Sequence, residues 1–229
     1  MACVLVRGLP QQAFTNQTIL PASADWRALL PPVKNQGQCS SSYAFAAVVP
    51  LEAALRNRGY NVVLSEQEIV DCSVRFGNEG CNGGSMHTAY QYIQSVGGLS
   101  QEARYPYRGA LRPCSRPSAT ERIPVVQYVE VKSQAQMISA LSTVGPVAIA
   151  LHTSCRSFQM YVGGVYYDPD CIGEPDHAAA LVGYGNENGQ DYYLLRNSWG
   201  TSWGLGGYMK ISTRTPQIHD LGGYPVINM

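Results

Sequence analysis

Three side chains that nucleophilic chemistry uses stand in blocks of unusual composition. Ser42 closes the run Gln36-Gly37-Gln38-Cys39-Ser40-Ser41-Ser42 and is followed by Tyr43-Ala44-Phe45. His177 sits in Asp176-His177-Ala178, just ahead of Leu181-Val182-Gly183-Tyr184-Gly185. Asn197 opens Asn197-Ser198-Trp199-Gly200-Thr201-Ser202-Trp203-Gly204. His177 lies 135 residues after Ser42, and Asn197 lies 155 after it. A fourth block, Gly80-Cys81-Asn82-Gly83-Gly84, is rich in glycine. An alcohol, an imidazole and a carboxamide can cooperate in acyl transfer when a fold brings them together. Each also has an ordinary reading taken alone. His177 on an apolar strand suits a satisfied core histidine, Asn197 suits a turn, and Gly83-Gly84 suits a tight turn. His87, His152 and His219 stand in no such block and read as surface or core residues.

The elements that must position these groups change character along the chain. From 42 to about 56, alanine and valine recur at helical spacing. Ser65-Glu66-Gln67-Glu68 has the form of a capping box, in which Ser65 accepts from the Glu68 amide and Glu68 reaches back. Met86, Ala89, Tyr90 and Ile93 share one helical face that Gly97-Gly98 ends. A short helix is expected from Ser133 to about Leu141. Strands are expected over 146–151, 165–167, 177–183, 192–196 and 208–211, with Asn188-Gly189 as a hairpin turn between two of them. A helical half followed by a sheet half implies an α+β protein of two lobes.

Bulk properties agree with a folded protein. The 229 residues suit one large domain or two lobes sharing an interface, and 45% are hydrophobic against 14% charged. Fifteen tyrosines against four phenylalanines suit half-buried strands. Sixteen acidic and sixteen basic side chains balance, which favours neither nucleic acid nor an anionic membrane as partner. No apolar stretch approaches the roughly 20 residues that span a bilayer. Met1 to Val6, followed at once by Arg7, is too short for a signal-peptide core, so the sequence reads as a trimmed form. Seven cysteines and the sequon Asn16-Gln17-Thr18 point to an oxidising compartment.

Together, the four blocks resemble the papain-like cysteine peptidases, cathepsin L-like ones in particular, in order and in spacing; histidine and asparagine there lie roughly 130–150 residues beyond the nucleophile. Pro21-Ala22-Ser23-Ala24-Asp25-Trp26-Arg27 resembles the start of the mature domain, and the long helical pro-segment of family precursors is not in the sequence. The resemblance implies a helical lobe over 21–125, with 216–229 returning to it, an antiparallel β-barrel-like lobe over 126–215, and an active-site cleft between them. Residues 1–20 would form an irregular arm.

Roles follow position by position. Residue 42 is the nucleophile, His177 its proton partner, Asn197 the orienting group and Trp199 its shield. Gln36 and the backbone amide of Ser42 are the oxyanion donors. Gly83 and Gly84 let a substrate backbone lie close, with Asp176 also at the cleft. Ser85, Met86, Ala150, Pro175, Ala178 and Leu221 line the pocket for the second residue before the cut, which implies a preference for aliphatic or aromatic side chains there. Cys39 pairs with Cys81 and Cys72 with Cys114. Cys171 resembles half of a third bridge whose usual partner is missing, which makes Cys155 the alternative partner and leaves Cys3 over. Implied partners are a peptide or protein substrate and inhibitors of the cystatin or propeptide type, for a secreted or lysosomal monomer that uses no cofactor and no metal.

One residue departs from the pattern at its centre. The family's nucleophile is a thiol, and position 42 carries an alcohol. A thiol beside histidine ionises well below its ordinary pKa of about 8.5; an alcohol does not, and must lose its proton during attack. A site shaped for sulfur holds oxygen too far out, and a misplacement of about 1 Å can cost on the order of a hundredfold. A weak or inactive peptidase is therefore expected, by engineered replacement or by nature. The alternatives are a non-catalytic peptide-binding homologue, and a serine-type hydrolase or condensing protein like the silicateins, whose site Ser42-Tyr43-Ala44-Phe45 also resembles. Two lesser departures are Pro50, expected to kink the first helix, and Ser40, which replaces a glycine beside the cleft.

Overall fold

The computed structural model describes residues 20–116, 122–123 and 127–227, without the side chains of 122–123 and 219–221. The expected arm up to residue 19, with its sequon and Cys3, lies outside the described residues, as do the side chains of His219 and Leu221.

The helical lobe is built on α1, Ser42–Asn57. Its small and aliphatic side chains are buried on nearly every side, which makes it the central helix and not an amphipathic surface one. It runs on through Pro50, which has no N–H to offer the preceding turn. Around it pack α2, Glu66–Cys72, and α3, Met86–Ser95. Tyr43, Leu51, Leu55, Ile69, Tyr90 and Ile93 form much of the shared core. At the start of α2, Ser65 Oγ accepts from the Glu68 amide at 3.0 Å. The returning arm of the expected capping box is not made. The Glu68 carboxylate is buried and accepts from Tyr92 Oη at 2.7 Å and the Ser100 amide at 2.8 Å, while the Ser65 amide donates to Ser100 O at 3.0 Å. Tertiary partners have displaced the local one. Helix α3 ends at Gly97 and Gly98, with φ +75° and +137°. The bridges Cys39–Cys81 and Cys72–Cys114 tie this lobe's loops to its helices.

The second lobe is a sheet backed by α4, Gln134–Thr143, and α5, Arg156–Gln159. A short strand β1, Ala24–Asp25, precedes the helices, and β2, Leu99–Ser100, pairs with β3, Arg122–Ile123. The main strands are β4 Gln127–Glu130, β5 Val147–Leu151, β6 Val165–Tyr166, β7 His177–Glu187, β8 Gln190–Arg196, β9 Tyr208–Ser212 and β10 Ile218–Val226. Among the described residues they form one sheet in the order β4-β10-β5-β7-β8-β9-β6, with β1 added on β7. Its pairings are antiparallel except β6 with β9, so the sheet is mixed where an antiparallel one was expected. Asn188 and Gly189, both with positive φ, make the two-residue turn between β7 and β8. The C-terminal strand β10 lies between β4 and β5, and Ile227 beyond it packs into the helical core.

The lobes meet where α1 lies on β7. Val49 and Ala53 of α1 pack with Leu30 against Ala180, Val182 and Leu194. Three successive alanines, Ala178 to Ala180, open β7 and allow the helix to approach. Ala180 is 1% exposed. Ala180→Leu is expected to lower stability by about 1–3 kcal/mol through overpacking, read from urea midpoints; the same change at exposed Ala28 should stay within about 0.5 kcal/mol.

Candidate active site

A cleft of about 560 Å³ opens between the lobes. Ser42 is the first residue of α1 and His177 the first of β7, so the interlobe contact brings both to its floor. The Ser42 amide is among those at the helix start without an intrahelical acceptor. Ser42 Oγ accepts from the Ala178 amide at 3.1 Å. No hydrogen bond joins that oxygen to the His177 ring among the described residues.

The ring's protonation follows from its neighbour. His177 Nε2 lies 2.8 Å from Asn197 Oδ1, and the same oxygen accepts the Ser198 amide at 2.8 Å. A backbone amide can only donate, so the Asn197 atom facing it is oxygen, and Nε2 must then carry the proton. Nδ1 is left with the basic lone pair. Trp199 lies over this contact, its ring 4.9 Å from the imidazole and tilted by 48°. Burial depresses the His177 pKa to about 4, against smaller upward effects of the Asn197 hydrogen bond and the Asp176 charge. The ring is neutral at pH 7.

Gln36 is held from both ends of its amide. Oε1 accepts from Ser198 Oγ at 2.6 Å, and Nε2 donates to Cys39 O at 2.9 Å. An NH₂ group has two donors, so one remains beyond that bond. The Gln36 carbonyl accepts from Tyr107 Oη at 2.8 Å, and Tyr107 Oη also bonds Ser41 Oγ at 2.7 Å. Tyr107 thus links the Gln36 backbone to the Ser41 side chain on the other side of Cys39.

Of the residues expected at the site, Gln36, Ser42, Gly83, Gly84, Ser85, Met86, Ala150, Pro175, Asp176, His177, Ala178 and Trp199 line this one cleft. Asn197 stands behind His177, buried, and lines a small internal cavity instead. Leu221 is in β10, its side chain outside the description. Gly84 has no room for a side chain, since a Cβ would lie 2.5 Å from Asn78 Oδ1. Asp176 accepts from the Thr153 amide and hydroxyl, both at 2.8 Å, and the Ser154 amide at 3.1 Å. Burial raises its pKa, but those bonds with His152 outweigh it and the net shift is downward. Asn82 of the glycine block lines the cleft too, as do Thr153 and Ser154, which sequence reading passed over along with Tyr107 and the Ser198 hydroxyl. The tyrosine reaches the site only through tertiary contact. Ser198, inside a recognised block, could have been noticed.

Cys155 and Cys171 are joined to each other. His152 lies close by, with potential ligand atoms of the three within 4.8 Å, but the bonded sulfurs are not thiolates and the group is not a metal set.

A model of the family described as papain family cysteine protease matches residues 20–225. The chain is 44% identical over 222 residues to a cathepsin L-like peptidase of Aedes aegypti, covering 91% of this chain and 64% of that protein. It is 41% identical over 221 residues to procathepsin L of Mus musculus, covering 91% and 66%. It superposes on digestive procathepsin L 3 of Tenebrio molitor larval midgut with a TM-score of 0.85 at 35% identity, over 93% of this chain and 72% of the other. The chain therefore spans 64% and 66% of those two curated relatives' lengths.

The buried imidazole makes stability depend on pH. Unfolded histidine takes up its proton near pH 6.5 and the folded ring near 4, so the unfolded state binds more protons between them. Stability should fall as pH drops from about 6.5 to about 4, by about 3 kcal/mol from this group. Urea titrations at several pH values across that window check it, and His177→Gln should flatten the decline.

Proposed function

We propose that the cleft is a peptidase site, and the premise is membership: the chain belongs to the papain family of cysteine proteases. On this reading Ser42 occupies the position of the family's nucleophilic cysteine. His177 is the base, through Nδ1, and Asn197 orients it. The Ser42 amide and the remaining Gln36 Nε2 donor bind the oxyanion. The observation that carries the proposal is the shared acceptor Asn197 Oδ1, which leaves Nδ1 unprotonated in the same cleft as the Ser42 hydroxyl.

The chemistry is slow with oxygen. Attack by Oγ on a peptide carbonyl requires its proton to pass to Nδ1 as the C–O bond forms. The ring then returns that proton to the leaving amine, and water hydrolyses the ester. In the structure Oγ is engaged by the Ala178 amide and not by the ring, so this proton path has to be made before attack. A thiol would surrender its proton to the imidazole beforehand, and the buried ring would then be stabilised in its charged form.

Met86, Ala150, Pro175 and Ala178 give the cleft an apolar wall, which fits an aliphatic or aromatic side chain two residues before the cut. An extended peptide, as substrate or as an inhibitor of the cystatin or propeptide type, fits the same groove. The three disulfides suit a secreted or lysosomal setting. A second reading, binding without turnover, is favoured by the Ser42 hydroxyl, which accepts from the Ala178 amide and makes no hydrogen bond to the imidazole among the described residues. The silica-condensing reading is not favoured: of Ser40, Ser41 and Ser42 only Ser40 is exposed, so this run presents no hydroxyl-rich surface.

Hydrolysis of a dipeptidyl-arylamide with an apolar second residue separates these readings. The chain is expected to cleave it slowly, and Ser42→Cys to raise kcat/KM by about a hundredfold or more. His177→Ala in the Ser42→Cys background should remove that gain. No cleavage by a folded Ser42→Cys chain would sink the peptidase reading; no cleavage by the serine chain alone would favour binding without turnover.

A further inference from the structure

Arginine occurs at every fourth residue from 104 to 116, at Arg104, Arg108, Arg112 and Arg116, and no acidic residue lies between Glu102 and Glu121. All four arginines are exposed, in a chain whose overall charge is zero. The segment holding them is neither helix nor strand, yet it is firmly seated on α2. The Arg108 amide donates to Gln67 Oε1 at 2.7 Å, Gln67 Nε2 donates to Ala110 O at 2.8 Å, and the Arg112 amide donates to Asp71 Oδ1 at 2.7 Å. Tyr105 Oη donates to Asp71 Oδ2 at 3.0 Å, and Cys72–Cys114 closes the far end.

These contacts hold the loop mainly by its backbone and leave the guanidiniums of Arg108, Arg112 and Arg116 over. No ion pair or side-chain hydrogen bond among the described residues involves the guanidinium of Arg108, Arg112 or Arg116. Asp71 is the acidic residue at this spot, and its oxygens already take the donors just named, together with Gln67 Nε2. Arg104, Arg108 and Arg112 border a cavity of about 270 Å³ with Gln67, Asp71, Tyr105 and Ser115. It shares no residue with the catalytic cleft.

We propose that this arginine-lined cavity and the loop over 104–116 form a docking surface for a linear sulfated polysaccharide. Guanidinium groups pair bidentately with tetrahedral oxyanions. Four arginines within thirteen residues of a loop fixed in place suit a chain with repeated anionic groups, because little ordering is needed on binding. Three disulfides place the protein in an oxidising space, where sulfated polysaccharides are the polyanions at hand and nucleic acids are not. The site would anchor the protein and leave the cleft open.

Titration of the whole chain with a heparin octasaccharide by calorimetry tests this. Binding is expected to weaken about tenfold or more between about 50 and 200 mM NaCl as screening grows. Arg108→Gln with Arg112→Gln should weaken it by about tenfold or more, while Arg156→Gln with Arg214→Gln on the other lobe should leave it within about twofold. Heparin should also protect Arg108 and Arg112 of the unmutated chain from phenylglyoxal, read by peptide mass, which needs no variant to fold. Undiminished binding by a folded Arg108→Gln, Arg112→Gln chain, absence of protection, or equal affinity for a DNA duplex of matching charge would overturn the proposal.

Discussion

The approach of α1 to β7 is the constraint on which the site depends. A helix start supplies unpaired amides, and a strand start supplies an imidazole, but neither has meaning unless the two ends meet. They meet because β7 opens with three alanines, so that the helix backbone can lie close enough for Ser42 Oγ to accept from the Ala178 amide at 3.1 Å. The lobe interface is itself apolar at Leu30, Val49, Ala53, Ala180, Val182 and Leu194. Burial there holds the helix in place, and His177 is itself largely buried at the same junction. The same packing that builds the site therefore sets its electrostatics.

That coupling explains why one atom matters so much. At so buried a position a charged imidazole is costly, and the depressed pKa of His177 expresses it. A thiolate beside the ring would offset this cost by forming an ion pair. An alcohol cannot, so the serine chain rests with both groups neutral and with Oγ held by a backbone amide. On the proposed reading, the remaining machinery can be in place and the chemistry still be slow with oxygen.

Much of this was legible in the sequence because the site is written in contiguous blocks. The residues around 36–45, 80–84, 176–185 and 197–204 carry the glycines, Trp199 and the side chains expected to react, and twelve expected residues line one cleft. The Asn188-Gly189 turn was equally plain, since both residues must take positive φ. What was not legible came from contacts between distant segments. Glu68 abandons its capping partner for Tyr92 and Ser100. Tyr107 reaches Gln36 and Ser41 from a loop with no periodic signal. Strand β10 carries Gly222, Gly223 and Pro225 and shifts register twice along β5, so it shows no clean alternation. Strand β4 is short and nowhere fully buried.

The third disulfide connects stability back to the site. Cys171 lacked its expected partner, and the structure joins it to Cys155, closing a loop across a separation of 16 residues. A loop of that size is worth about 3 kcal/mol in a chain-entropy account. Its position matters more than its magnitude. The two segments it ties carry Thr153 and Ser154 on one side and Asp176 on the other, and their hydrogen bonds hold the residue immediately before His177. Gly173 permits the closure, since a Cβ there would fall 2.5 Å from the His152 ring. The bridge thus fastens the entry of β7 from the solvent side while α1 fastens it from within, and the imidazole stands where these two restraints meet.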